Sequence, residues 1–324
     1  MGPPRPQGAS HIHHFMPVFY TSRWVTPPGG KLLEYSEPYP GKIVAKPVGP
    51  KATGFVDKLN ILEDLPPDDA RQLEEAFFSP LDDSAAKVLE RIESGWGNGG
   101  KAQWTSKDRS EWSRFVMSMM FRHPEELESA KAGFAEDWKT VTPEVRAAFE
   151  AAGDFPGKPA SVEEFLASQA PERIRADALR MVRKVMLDSR AIGERLNNAH
   201  WRFVVLPEAC FDLVTGDRPV MNTDGLGVKN AYLTMPIGPR RLFVASQSAA
   251  VADKVSRTRL PDLAKTTNKG CVRRAYRYVY AKDKTHDEFI RKHFGKDRPL
   301  TWMEQMRAVR ARAKASGDYP FPDP

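Results

Sequence analysis

Residues 201–245 read WRFVVLPEACFDLVTGDRPVMNTDGLGVKNAYLTMPIGPRRLFVA. Inside this stretch, residues 201–206, 211–215, 220–223, 231–235 and 241–245 are short runs rich in β-branched and aromatic side chains, parted by Gly, Pro and Asp. Such punctuation predicts an antiparallel meander, because tight turns return each strand beside its predecessor. Residues 276–281 predict one more strand.

Upstream the hydrophobic period is helical. Leu73, Phe77, Val88, Leu89 and Ile92 mark a buried stripe over residues 66–94, in which Pro80 should separate two helices. Trp112, Phe115, Val116, Met119 and Met120 form the next stripe over 106–139, and helical segments follow at 161–169 and 171–199. Downstream helices are predicted at 248–256, 287–294 and 301–315. Before the helices, 31–35 and 42–47 suit a small hairpin between Gly- and Pro-rich connections. Helices dominate and strands cluster late, which predicts an α+β fold, mainly helical, with a C-terminal antiparallel sheet meander. The organisation expected is a flexible N-terminal arm over 1–10 and a single α+β domain over 11–324. Its helical part spans about 66–199, its sheet-containing part about 200–281 and its C-terminal helices about 287–315.

Composition narrows the class of protein. With 324 residues, 41% of them hydrophobic, seven Trp and 17 Phe, the chain can bury a core and is not a disordered polymer. No apolar run approaches the roughly 20 residues of a membrane span, and the first residues do not resemble a signal peptide, so the expectation is a soluble, cytoplasmic protein with no membrane partner. Cys210 and Cys271 lack metal-site spacing and read as reduced core residues. A formal charge of +7 favours an anionic ligand or nucleic acid as partner. There is no Walker loop, Gly-x-Ser-x-Gly elbow, His-Glu-x-x-His helix or Cys-x-x-Cys pair, which removes the common nucleotidase, serine hydrolase and zinc protease readings. The segment from Gly95 to Gly100 spells Gly-x-Gly-x-x-Gly but trails a predicted helix, so the dinucleotide reading fails on context.

The densest chemistry lies at the N-terminal side, in HHFMPVFYTSRW from His13 to Trp24. Phe15, Phe19 and Tyr20 recur at helical spacing and Pro17 suits a first turn. His14 can act as acid, base or metal ligand, or equally cap a helix. On the residues from His14 to Tyr20, with Arg23 and Trp24, the chain resembles a microbial family, domain of unknown function 4238. The likeness continues through Pro50–Gly54, Leu59–Glu63, Leu73–Phe77, Arg122–Pro124, Thr215–Pro219, Asn268 and Arg277–Tyr280, while Thr21 and Ser22 depart from the longer residues members often carry there. The resemblance supplies no substrate, but it groups distant residues.

Catalytic candidates are His14, Glu74 and Asp217; substrate-binding candidates are Arg23, Arg122, Asn268 and Arg277. Asp217 sits in a Thr-Gly-Asp-Arg-Pro loop between predicted strands, either aiming a carboxylate or bonding turn amides. Of Glu74 and Glu75, about 100° apart on a helix, only one faces inward. Arg122 would pair a buried carboxylate or clamp an anion. No cofactor is specified, though this donor set allows a divalent metal. Two functions follow. One is a hydrolase acting on a phosphodiester or other anionic substrate through a His/carboxylate/Arg site. The other is a non-catalytic nucleic-acid or protein-binding module, of a defence or phage-related kind, whose motif residues lock helices onto sheet.

Overall fold

The structure is a computed structural model that describes residues 12–57, 78–96, 105–137, 141, 143–154, 156–169, 174, 189–223, 228 and 230–316. The expected arm over 1–10, the helix carrying Glu74, and most of the helix expected over 171–199 lie outside the described residues.

Among the described residues the strands pair antiparallel and fall into three sheets. A short pair joins β1 (Ile12–His14) to β4 (Phe55–Asp57). The hairpin expected near the N-terminus is present as β2 (Leu32–Tyr39) and β3 (Lys42–Val48), turning at Gly41 with φ 77°, a conformation natural to glycine. Residues 200–246 supply a four-stranded sheet from β5 (His200–Val205), β7 (Met221–Asn222), β8 (Tyr232–Gly238) and β9 (Arg241–Ser246), in the order β5-β9-β8-β7.

The α+β character is therefore as expected, but the late strands do not make one continuous meander. β6 (Thr215–Gly216) and β10 (Tyr278–Ala281) leave that sheet and join the N-terminal hairpin in the order β3-β2-β10-β6. Alternation explains the exchange. Val279 and Ala281 face one apolar cluster with Tyr35, whereas Tyr280 and the partly buried Tyr278 face another, so β10 needs cover on both faces.

Helices fill the space around the sheets. In chain order they are α1 (Val18–Thr21), α2 (Ser79–Trp96), α3 (Ser106–Phe121), α4 (Pro124–Asp137), α5 (Pro143–Ala151), α6 (Val162–Ser168), α7 (Arg190–Asn198), α8 (Ala249–Ser256), α9 (Leu260–Arg274), α10 (Asp287–His293) and α11 (Trp302–Ser316). Pro80 sits in the first turn of α2, where its missing N–H costs nothing. The segment expected as one helix over 106–139 divides at Arg122–His123, because Pro124 disfavours helical geometry in the residue before it. Thr105 and Asp108 close the start of α3 with a reciprocal capping box. α9 has no counterpart in the expected helices. No helix among the described residues is long and apolar enough to cross a membrane. Cys210 and Cys271 are free, buried thiols.

The β5–β9 sheet is covered on both faces. Phe243 and Ala245 of β9 enter the main core with Trp112, Phe115 and Trp24, while Leu242 and Val244 pack with Leu263 and Ala264 of α9. The other end of α9 lays Cys271 and Val272 against the β2–β10 sheet, so this helix spans both sheets.

The N-terminal motif fills the junction between them. Tyr20 and Trp24 are fully buried. β8 is irregular between Pro236 and Gly238, which frees carbonyls from the ladder. The Tyr20 hydroxyl donates to the Pro236 carbonyl at 2.6 Å and lies 2.8 Å from Thr215 Oγ1 on the other sheet. Arg23 Nε donates to the Ile237 carbonyl, and Trp24 Nε1 to that of Leu213 at 2.7 Å. Beside them Met16 packs on Gly54, where a Cβ would approach the Met16 Cβ to 2.5 Å. Tyr20→Phe leaves the Pro236 carbonyl and Thr215 hydroxyl without this partner in a dry interior. It is expected to lower unfolding free energy by about 1–3 kcal/mol in urea titration with no change in helix content.

Candidate functional site

Two of the polar residues singled out in the sequence, Asp217 and Arg277, meet where the α3–α4 junction faces the β6–β10 edge. The break before Pro124 turns His123 inward, where its ring is 1% exposed. Asp217 follows β6 and is held across the ladder: its N–H donates to the Tyr278 carbonyl at 3.0 Å. Its carboxylate accepts the backbone N–H groups of Tyr276 at 3.1 Å, Tyr278 at 2.9 Å and Arg277. Asp217 thus bonds amides of a distant segment, not those of its own turn.

A line of alternating charge runs from this buried carboxylate to the surface. His123 Nε2 lies 3.3 Å from Asp217 Oδ2 and Nδ1 lies 2.6 Å from Glu125 Oε2. Glu125 Oε1 accepts from Arg277 Nε at 2.7 Å. Glu125 and Arg277 keep 31% and 39% of their side-chain exposure, so this end alone meets solvent.

Burial works against ionisation of all three central groups, and pairing overrides it. Desolvation would depress the His123 imidazole, but Asp217 and then Glu125 raise it above its ordinary value. Burial would raise Asp217, yet His123 and the Arg277 and Tyr278 amides hold it low. Glu125, also opposed by burial, is drawn down to about 2 by His123 and Arg277. Both ring nitrogens of His123 face carboxylates, an arrangement that favours the charged imidazole and suits it to holding charge.

Aromatic rings enclose the group. Phe15 meets His123 edge-on with centroids 5.2 Å apart and stacks on Tyr278 at 6.2 Å, while Tyr276 flanks the imidazole at 5.5 Å. Next to it, the buried Glu126 faces Arg218 Nη2 at 2.6 Å and accepts the Trp302 N–H at 2.8 Å.

The remaining candidates are placed as follows. Arg122, with a buried side chain, makes a bidentate pair with Asp82 at 2.8 and 3.1 Å and donates to the His14 carbonyl at 2.8 Å, above the Phe78 ring. Its described carboxylate partner is Asp82, and Glu74 lies outside the described residues. The His14 ring leans on Phe55 and reaches the Lys51 carbonyl at 3.4 Å, while its own carbonyl accepts from Arg122. Arg23 shares Glu93 with Arg241, away from this cluster. Asn268 lies inside α9, accepting the Val214 N–H and donating to the Asp212 carbonyl, both at 2.9 Å. Asp217 and Arg277 are therefore brought together, Arg122 and His14 adjoin them through His123's neighbour, and Arg23 and Asn268 stand apart.

Among the described residues no three His, Cys, Asp or Glu side chains are grouped so as to hold a metal ion. The sequence reasoning passed over His123, Glu125 and Glu126. The available signal was His123-Pro124-Glu-Glu, a buried-ring position at a helix break followed by first-turn acids.

Residues 12–285 match a family model described as Protein of unknown function (DUF4238). The chain belongs to this family. The match takes in the whole His123–Asp217–Arg277 cluster of this DUF4238 protein. No curated protein and no solved structure matches the chain.

The charge line predicts a stability maximum. His123 has a raised folded-state pKa, so its contribution is complete below about pH 6.5 and fades as pH rises through the folded value. Asp217 and Glu125 have depressed values, so theirs is complete above the ordinary carboxylate range and fades as pH falls. Urea unfolding across pH should show a loss on both sides, and His123→Gln should remove the alkaline limb and shrink the acid limb, since the imidazole is the first cause holding both carboxylates low. Asp217→Asn, which strands a buried imidazolium, is expected to cost about 3–5 kcal/mol.

Proposed function

We propose that this DUF4238 chain is a non-catalytic recognition module for nucleic acid, in which the motif residues form a polar lock and an outer face of α9 and α10 meets the phosphate backbone. The observation carrying this reading is the cationic surrounding of His293. Burial, then Arg273, Lys296, Lys292 and Lys269, all push the His293 imidazole below its ordinary value, which means that these cations converge on one place.

The helical period explains the convergence. Lys265, Lys269 and Arg273 succeed one another at i+4 intervals on α9, opposite the buried Leu263, Ala264, Thr267 and Cys271. Arg273 is engaged by Asp297, while Lys269, Lys292 and Lys296 are exposed. At the α9 start Lys265 lies 5.8 Å from the ring of Phe211, a large apolar side chain that is 46% exposed. Exposed lysines beside an aromatic ring suit a flexible anionic polymer better than a small apolar ligand.

The lock side of the proposal draws on the candidate site itself. Arg122, Asp217 and Asn268 spend their polar groups on backbone carbonyls and amides, as positioning residues do. A hydrolase acting on a phosphodiester or other anionic substrate is the second reading. The partly exposed Glu125–Arg277 pair favours it, since a substrate anion arriving there would compete with Glu125 for Arg277.

Binding of fluorescent single- and double-stranded oligonucleotides should weaken linearly with the logarithm of salt concentration. The double variant Lys269→Glu/Lys292→Glu should lose roughly 10-fold or more in affinity and about 2 units of salt slope while melting as the parent does. Salt-independent or undetectable binding by the parent chain would overturn the recognition reading. Turnover of a phosphodiester that disappears in Glu125→Gln would favour the hydrolase.

A further inference from the structure

Arg218 and Arg274 reach the same place from different elements. Arg218 follows Asp217 in the connection from β6 to β7, and Arg274 is the last residue of α9, two residues before Tyr276. The Arg218 guanidinium lies over the Tyr276 ring, 4.2 Å from its centroid, and its side chain is 10% exposed. Its Nε and Nη2 are buried and make no hydrogen bond; its ion-pair partner is Glu126. One Glu126 oxygen is already committed to the Trp302 amide.

Arg274 is less compensated still. Its Nε is buried with no hydrogen-bond partner, and among the described residues no carboxylate forms an ion pair with its guanidinium. Burial first, and then the charge of Arg218, push Arg274 below the ordinary arginine value, with smaller opposing effects from Cys271, Tyr276 and Glu126. The backbone geometry agrees: a Cβ at Gly216, two residues before Arg218, would lie 3.9 Å from the Ala275 Cβ, next to Arg274, so the two arginines leave neighbouring stretches of chain. A third, Arg298, lies 5.9 Å from the same ring but is satisfied by Glu37 and the Ala275 carbonyl.

Like charges drawn partly out of water, with one carboxylate paired to Arg218 and none to Arg274 among the described residues, are costly unless something neutralises them. Guanidinium groups offer forked donors that match an oxyanion, and a tetrahedral one can accept from two forks at once. We propose that Arg218 and Arg274 form a binding site for a phosphate-class oxyanion, with the face of Tyr276 as its wall. The site uses other residues than the lysine face does and does not rest on the nucleic-acid reading. Its occupant is free inorganic phosphate or a phosphate monoester.

Calorimetric titration with inorganic phosphate, against sodium chloride at matched ionic strength, tests the site. The parent chain should bind phosphate and melt several degrees higher in it. Arg274→Met should lose at least 10-fold in phosphate affinity. In phosphate-free buffer it should melt no lower than the parent, because the repulsion has gone with the charge. Arg218→Lys, which keeps the charge against Glu126 but loses the fork, should also bind phosphate more weakly. Titration with a 5′-phosphorylated and an unphosphorylated oligonucleotide separates the two sources. A preference for the phosphorylated strand that vanishes in Arg274→Met assigns the site to a monoester, and phosphate binding without that preference assigns it to the free ion. Phosphate heats indistinguishable from chloride in the parent, or unchanged phosphate affinity in Arg274→Met, would overturn the site.

Discussion

Carbonyl groups released by the irregularity of β8 must find donors in a region sealed from water, and the rest of the architecture depends on how they do so. Tyr20 and Arg23 supply those donors from one turn of the N-terminal motif, and Trp24 serves Leu213 in the same way. Burial raises the Tyr20 phenol well above its ordinary pKa, so the hydroxyl keeps the proton it donates. Because the same oxygen meets Thr215, a single side chain ties the β5–β9 sheet to the β2–β10 sheet. Its aromatic body also contacts Trp24 and Phe115, which brings α3 into the same junction.

The charged groups obey a related rule. Buried ions in this protein are rarely lone: Asp217 has amides and an imidazolium, Arg122 has Asp82 and a carbonyl, and Glu126 has Arg218 and an amide. Each arrangement joins segments far apart in sequence. Such groups contribute less to net stability than to fixing one arrangement, since misplacing any of them leaves an ion in an apolar setting. Arg274, only partly buried, is the contrast: its Nε is enclosed without a hydrogen-bond partner.

Much of the architecture was readable from local pattern. Phe15, Phe19 and Tyr20 announced a packed motif through their spacing, although Phe15 precedes α1 and only Phe19 and Tyr20 lie on it, and Trp112, Phe115, Val116 and Met119 marked α3 in the same way. α9 was not readable. Its inward face includes Thr267, Asn268 and Cys271 among the aliphatics, together with Gly270 where the helix packs closely on Met221, and this blunts the periodic signal. The candidate site was half visible. Asp217 and Arg277 stood out through their motifs, but His123 looked like a helix terminator, and only the pairing of β6 with β10 brings it beside Asp217. The sorting of strands between sheets was hidden for a similar reason, since alternation shows that both faces of β10 are apolar without naming the neighbours.

The β2–β10 sheet sets Tyr278 opposite Ser36 and Ala281 opposite Leu33. Pairing residues so remote closes a very long loop before any ladder energy is gained, and chains organised this way fold slowly. The N-terminal hairpin forms from local contacts as it leaves the ribosome, yet its inner edge stays bare until nearly the whole matched region has been made. During that interval β2 presents unpaired N–H and C=O groups beside apolar Leu32 and Tyr35, a template for mispairing with other chains. Synthesis therefore leaves this edge open to mispairing while one short strand is still missing.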